Sequence, residues 1–339
     1  MKYIYLGAFP PPYGGVTIKN KLLFNKLFDY IEVEQSKFYD KNNNLLLRII
    51  SLFTTIIKKK HGLIIGISKN SLKKLTFVLF FMNKKIMNNS IVLVMGGTFP
   101  QMVIKDKRLQ RLLQEYKRIY VETDGMQKAL SSVGVNNVSV FPNCRERADI
   151  NAEMQKDNQQ LRCLFFSLIS EDKGADNIFA AAAILNQKDI DYSIDFYGHI
   201  APKYIQKFES SITRNVNLHY CGVFKSTKKN ELYNKLQQYD LLLFPTKWKN
   251  EGVPGVLVES KIAGIPAIVS DINFNSEIIK DEKTGLVLKK NTPEELAYAI
   301  ERVYFNRDWL IELKHNAKDS SEEYLIENYI EDIIRLLKE

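Results

Sequence analysis

The chain has 339 residues, 45% of them hydrophobic and 26% charged, enough to bury a sizeable core and a length more natural for two domains than for one. Three cysteines (Cys144, Cys163, Cys221) and four histidines (His61, His199, His219, His315) show no disulfide-framework or zinc spacing, which argues against both and fits a reducing cytoplasm. Charge is unevenly divided: residues 1–150 hold 24 basic and 10 acidic side chains, a net +14, whereas residues 151–339 hold 24 and 29, a net −5.

In chain order, the opening MKYIYLGAFPPPYGG places a short apolar run before Pro10, Pro11 and Pro12. The run is too short for a signal-peptide core or a membrane span, and it reads as a first strand. Further strands are predicted at GLIIGIS, SIVLVMGG, RIYVETD and VSVFPN, then at LRCLFFSLIS, YSIDFYGH, VNLHYCG, DLLLFPT, PAIVSD and TGLVL. Amphipathic helix-length stretches such as NIFAAAAILNQ, KNELYNKLQQY and PEELAYAIERVYFN lie between them. Buried strands alternating with helices indicate parallel sheets in an α/β fold. The polar stretch RERADINAEMQKDNQQ, residues 145–160, separates the two series. We therefore expect one Rossmann-like domain over 1–150 and a second over 151–319, with a final helix at about 320–339 packing back on the first.

From Lys41 to Lys105 there are eleven basic residues and no acidic one, interleaved with LLLRIISLFTTIIKKK and SLKKLTFVLFFMNKK. Core-packed helices with solvated lysines are one reading. The missing acids favour the other, a surface that meets anionic lipid or phosphate. The uncharged run from Ile49 to Ile57 is too short to cross a bilayer, so the segment would lie on the membrane.

The stretch WKNEGVPGVLVESKIAGIPAIVSD, residues 248–271, carries Glu251 before an apolar run and Glu259 within it. Pro245 ends a predicted strand, so Trp248 to Gly252 form a loop at its carboxyl end, where open α/β sheets bind ligands. Pro254 suits a helix start and Gly264 its end, which puts Glu259 in the second turn; with its side chain leaning toward the helix amino terminus and a rise of about 1.5 Å per residue, it is expected on the order of 7 Å from Glu251 along the axis. Gly252 and Gly255 leave amides uncovered at a positive helix terminus, a seat for phosphate. Carboxylates for hydroxyls beside amides for phosphate describe a nucleotide-sugar site.

FPTKWKNEGVPGVLVESKIAGIPAIVSD resembles the signature of the retaining glycosyltransferases of family 4, in which a Glu, seven residues and a second Glu open the donor-site helix. FFSLISEDKGADN looks like the segment carrying a diphosphate-binding lysine, NSEIIKDEKTGLVL like the one closing the sugar site, and FPPPYGGV like the glycine loop after strand one. The resemblance implies a GT-B fold, two Rossmann-like domains whose parallel sheets face each other across a cleft, with acceptor bound by the first domain and donor by the second. It implies Glu259 on the ribose hydroxyls, Glu251 on the donor sugar, and Lys173 on the leaving diphosphate, helped by amides around Gly15 and Gly255. Gly14, Gly252, Val253, Pro254 and Thr98 fall in the same donor-binding segments. Phe224 is either a base-stacking ring or a core aromatic. Glu259 as a helix-face carboxylate, Lys173 as a solvated lysine and Gly14-Gly15 as a tight turn are the structural readings of the same residues.

Two departures stand out. Leu168 lies where the family commonly has an arginine, and VMGGTFP supplies Thr98 but no histidine. The implied activity is retaining, metal-independent hexosyl transfer from a nucleotide-sugar such as a UDP- or GDP-sugar, with no cofactor. The implied acceptor is a glycan, lipid-linked, in bacterial surface polysaccharide synthesis at the inner face of the cytoplasmic membrane. A catalytically weak GT-B subunit that binds a partner enzyme is the alternative. Nucleic acid is not an expected partner, because no recognised binding motif accompanies the pI of about 9.1.

Overall fold

Aliphatic runs without polar alternation form strands buried on both faces, as in Gly62–Gly66, where every residue is buried. The computed structural model describes residues 2–11, 14–39, 44–57, 62–150, 159–226 and 230–339. Pro12, Lys58, Lys59, Lys60 and the 151–158 part of the predicted joint lie outside the described residues.

Two compact units make up the chain: Met1–Glu146 with Asn250–Val253 and Leu325–Glu339, and Arg147–Lys249 with Pro254–Tyr324. The first contains strands β1 (Lys2–Gly7), β2 (Glu32–Gln35), β3 (Gly62–Gly66), β4 (Ile91–Leu93), β5 (Arg118–Val121) and β6 (Val138–Val140), in the order β2-β1-β3-β4-β5-β6. The second contains β7 (Leu161–Phe166), β8 (Tyr192–Tyr197), β9 (Leu218–Tyr220), β10 (Leu241–Phe244), β11 (Ala267–Ser270) and β12 (Gly285–Leu288), in the order β12-β11-β10-β7-β8-β9. All pairings are parallel, so each strand is reached by a crossover, usually helical. β2 is the one strand that the hydrophobic pattern does not mark. It is a four-residue edge, EVEQ, with only Val33 buried, and its glutamates pair with Lys2.

In the first unit, Tyr3, Tyr5, Leu23, Leu27, Ile64, Ile91 and Leu93 pack with Ile330, Ile333, Ile334 and Leu337 of the Glu327–Lys338 helix. Tyr3 donates its hydroxyl to the Leu337 carbonyl at 2.7 Å, which ties the helix to β1. In the second, Phe165, Ile194, Phe196, Leu241 and Ile268 form the centre of the core, beneath the Ala175–Leu185 and Pro293–Phe305 helices.

Candidate functional site

The strand order of the second sheet reverses between β7 and β10, which are hydrogen-bonded neighbours. Crevices at such switch points, outside the carboxyl ends of the strands, are where open sheets bind ligands. Residues 167–174 and 245–249 leave the two strands there and touch through their backbones. The Lys247 amide donates to the Asp172 carbonyl at 2.7 Å. Gly174, at φ +84°, lies so near Pro245 that a Cβ would stand 2.0 Å from the proline carbonyl oxygen. Only glycine fits both the left-handed backbone and the close approach. Asn291 donates to the Pro245 and Thr246 carbonyls at 3.2 and 3.3 Å, Ser270 to the Thr246 carbonyl at 2.6 Å, and Asn273 to the Trp248 carbonyl at 3.0 Å. The second loop is therefore held by side chains from the end of β11, from the loop after it and from the loop after β12.

Lys173 precedes Gly174 on this braced backbone. Its amide donates to the Ser170 carbonyl at 3.2 Å, and its ammonium lies 5.9 Å from the centre of the Phe244 ring. Leu168, five residues earlier, is 48% exposed and brings no charge. Phe224 is half-buried, its ring centre 6.0 Å from that of Phe166 and 6.3 Å from that of Tyr197.

Pro254 caps the next helix, with φ −63° and ψ 126°, and the helix itself runs over Gly255–Ala263 to Gly264 at φ +73°. Helical rise thus does not reach back to Glu251, and the expected spacing of about 7 Å has no helical basis. Leu257, Val258, Lys261 and Ile262 are buried, which at about 100° per residue leaves Gly255, Val256 and Glu259 together on the half-exposed side. The roll of the helix is fixed from behind. Burial pushes the Lys261 ammonium down to about 8, and it donates to Ser320 Oγ at 2.9 Å and stands 5.1 Å from the centre of the Tyr324 ring.

Glu251, Gly252 and Val253 count with the first unit, where they meet the ends of three strands. The Gly97 amide, after β4, donates to the Glu251 carbonyl at 3.2 Å. The Val253 amide donates to Glu122 Oε2, after β5, at 3.1 Å, and its carbonyl accepts from Asn143 Nδ2, after β6, at 2.9 Å. A Cβ on Gly252 would lie 2.1 Å from Glu122 Oε2. The Val253 amide is already bonded to a carboxylate, and Gly252 is small because that carboxylate lies against it.

Behind Glu122 stands Lys19, its ammonium 3.0 Å from Glu122 Oε1 and 3.2 Å from the Phe141 carbonyl, with side-chain exposures of only 3% and 6% for the pair. Sequence reasoning missed Lys19, Glu122 and Asn143. The available signal was polar residues directly after predicted strands, in YVETD and VFPN. Gly14 caps the Gly15–Phe28 helix, its amide donating to Thr17 Oγ1 at 3.1 Å, and a Cβ on either Gly14 or Gly15 would meet nothing within 4 Å. Thr98 caps the Phe99–Ile104 helix, and its hydroxyl accepts from the Lys69 ammonium.

Residues 146–323, just over half of the chain, match the family model described as glycosyl transferases group 1. The chain belongs to that family. Among relatives of this glycosyltransferase, the Escherichia coli UDP-Gal:alpha-D-GlcNAc-diphosphoundecaprenol alpha-1,3-galactosyltransferase is 33% identical over 75 residues, 22% of this chain and 19% of that one. The O-antigen biosynthesis glycosyltransferase WbnH of Escherichia coli is 23% identical over 212 residues, 60% of this chain and 54% of that one. The matches to these two thus span between 19% and 54% of the relatives' own length. The crystal structure of Anabaena HepE in complex with UDP superimposes with a TM-score of 0.72 at 15% identity, covering 100% of each chain. With its two six-stranded parallel sheets, the group 1 glycosyltransferase has the GT-B fold.

Proposed function

We propose that this glycosyltransferase is a retaining enzyme of family 4 that moves a hexosyl unit from a nucleotide-sugar to a glycan acceptor carried on a lipid diphosphate, in the synthesis of a bacterial surface polysaccharide. The observation that carries the donor half of this reading is the switch point of the second sheet. There Lys173 stands on a loop bonded through its backbone to the loop after β10, and Glu259 lies on the half-exposed side of the next helix. Glu259 accepts the ribose hydroxyls, Glu251 the hydroxyls of the donor sugar, and Lys173 takes the charge of the leaving diphosphate. The Gly255 and Gly15 amides, each in the first turn of a helix, add dipole stabilisation to phosphate oxygens. The relatives named above transfer sugars from UDP-Gal to a diphosphoundecaprenol-linked GlcNAc or act in O-antigen biosynthesis, which supports the acceptor class proposed here.

In this scheme the acceptor hydroxyl attacks the anomeric carbon from the face the diphosphate leaves, through an oxocarbenium-like state. The acceptor oxygen–carbon bond forms as the carbon–phosphate oxygen bond breaks, and the acceptor proton passes to the departing phosphate oxygen. The protein supplies placement and stabilisation of the leaving charge, and the scheme asks for no metal. Proton NMR of the product tests it: an α-linked donor should give an α-linked product. A β-linked product would remove the retaining assignment.

The proposed partner of the first unit is the anionic face of the cytoplasmic membrane. The Leu45–Ile57 helix turns Leu46, Leu47, Ile49, Ile50, Phe53 and Ile57 to solvent, and the Lys69–Met82 helix adds Val78, Phe81 and Met82. No helix among the described residues is long and apolar enough to cross a membrane. An apolar stripe flanked by cations suits a surface-lying helix, with each Lys or Arg near an anionic leaflet contributing about 1 kcal/mol. Co-sedimentation should require anionic vesicles and weaken as salt rises. It should also drop when Lys58, Lys59, Lys60, Lys73 and Lys74 are changed to Gln, or when Leu46, Ile50 and Phe53 are changed to Ser. Parent protein remaining in the supernatant at low salt would contradict this partner.

A further inference from the structure

Four residues of the first unit, Asn250–Val253, are seated against the ends of three successive strands, and each strand end contributes one hydrogen bond. Gly97 holds the Glu251 carbonyl, Glu122 the Val253 amide and Asn143 the Val253 carbonyl. The middle member of the set is costly to build, because it buries a carboxylate and an ammonium together. Replacing a buried ion pair by apolar residues is often neutral for stability, but here it would leave the Val253 amide and the Phe141 carbonyl without the partners the pair supplies. One oxygen of Glu122 faces Lys19 and the other accepts the Val253 amide, which leaves the carboxylate one orientation. Asn143 is fixed in the same way: Arg145, itself buried, donates to its Oδ1 at 3.0 Å, so its amide nitrogen is the atom turned to Val253.

We propose that Glu122, charge-balanced by Lys19, and Asn143 are positioning residues for the Glu251 segment, a clamp that sets where the Glu251 carboxylate stands during transfer. This rests on the reading that Glu251 contacts the donor sugar. The clamp acts on backbone atoms, and it tolerates no side chain at position 252, where a Cβ would also come 3.2 Å from the Gly96 Cα. The Val253 amide is the second partner of the Glu122 carboxylate, and the same residue's carbonyl is held by a second strand end.

The test compares two double variants, Lys19→Met/Glu122→Gln and Lys19→Met/Glu122→Leu. Both remove the buried charges, but only the glutamine keeps an oxygen that can accept the Val253 amide. With the UDP- or GDP-sugar that the parent uses as donor, the glutamine variant should turn over within about threefold of the parent and the leucine variant about 10- to 100-fold more slowly, the loss expected when a partner behind a functional group is removed. Both should bind the nucleotide that the parent binds, UDP or GDP, as tightly as the parent. Asn143→Ala should repeat the leucine result, and it carries the test if the double variants do not fold. Equal turnover of the glutamine and leucine variants, or a parent-like Asn143→Ala, would overturn the clamp. Glu251→Ala separates this from failure of the donor reading. If Glu251→Ala turns over like the parent, the Glu251 assignment falls and the clamp with it. If Glu251→Ala is slow while the clamp variants are unaffected, the clamp alone is wrong.

Discussion

Lys173→Ala should slow transfer by about 10²- to 10³-fold, equivalent to about 2.7–4 kcal/mol of barrier, the range seen when one donor to a developing oxyanion is removed. The size follows from the loop around it. Leu168 brings no charge to the position where the resembling family commonly has arginine, so the loop after β7 offers its diphosphate one cationic side chain where the family offers two. The backbone around Lys173 is fixed by the Lys247–Asp172 bond and by the Gly174–Pro245 contact, so the substitution removes the charge without loosening the loop. Steady-state turnover at saturating donor, with nucleotide affinity measured in parallel, checks the effect. Activity within a few-fold of the parent would place the leaving-group cation elsewhere.

Lys19→Met should destabilise the protein by about 3–5 kcal/mol, because it leaves the Glu122 carboxylate buried with no countercharge. The methionine stem preserves most of the packing of Lys19 along Phe141, whose ring centre lies 5.1 Å from the ammonium, so the loss is electrostatic and not a cavity effect. Adding Glu122→Gln should restore most of it, since an uncharged pair of similar volume no longer has an ion to desolvate. Urea unfolding of the single and double variants measures both changes. A double variant as unstable as Lys19→Met would mean that packing, not the unpaired charge, sets the cost.

Much of the fold was legible because its strands are short, aliphatic and closed by turn residues. Eleven of the strands show this pattern, from YIYLGAF to TGLVL. β2 does not, because an edge strand of four residues needs only one buried side chain, and Val33 between two glutamates leaves no periodic signal. Helix ends were legible where glycine or proline punctuates them, as at Gly264, although Pro254 proved to be the cap and not the first helical residue. The candidate site was legible on the side that carries unusual residues in sequence: Lys173 before a glycine, and Glu259 inside an apolar run. The clamp was not. Lys19 sits in a helix with Lys21 and Lys26 and looks like any solvated lysine until the fold brings it to Glu122, 103 positions away. Gly252 likewise reads as an open amide in sequence, and only the nearness of Glu122 shows that its missing side chain is a matter of space.

If the second unit holds the nucleotide of a sugar donor through Glu259, titration calorimetry with UDP and with GDP will show it. One of the two nucleotides should bind the parent protein, and Glu259→Ala should bind it about 10- to 100-fold more weakly, the loss of hydrogen bonds to a charged acceptor. Glu251→Ala should bind the same nucleotide like the parent while turning over more slowly. Glu259→Ala binding the nucleotide as tightly as the parent would take Glu259 out of the nucleotide site.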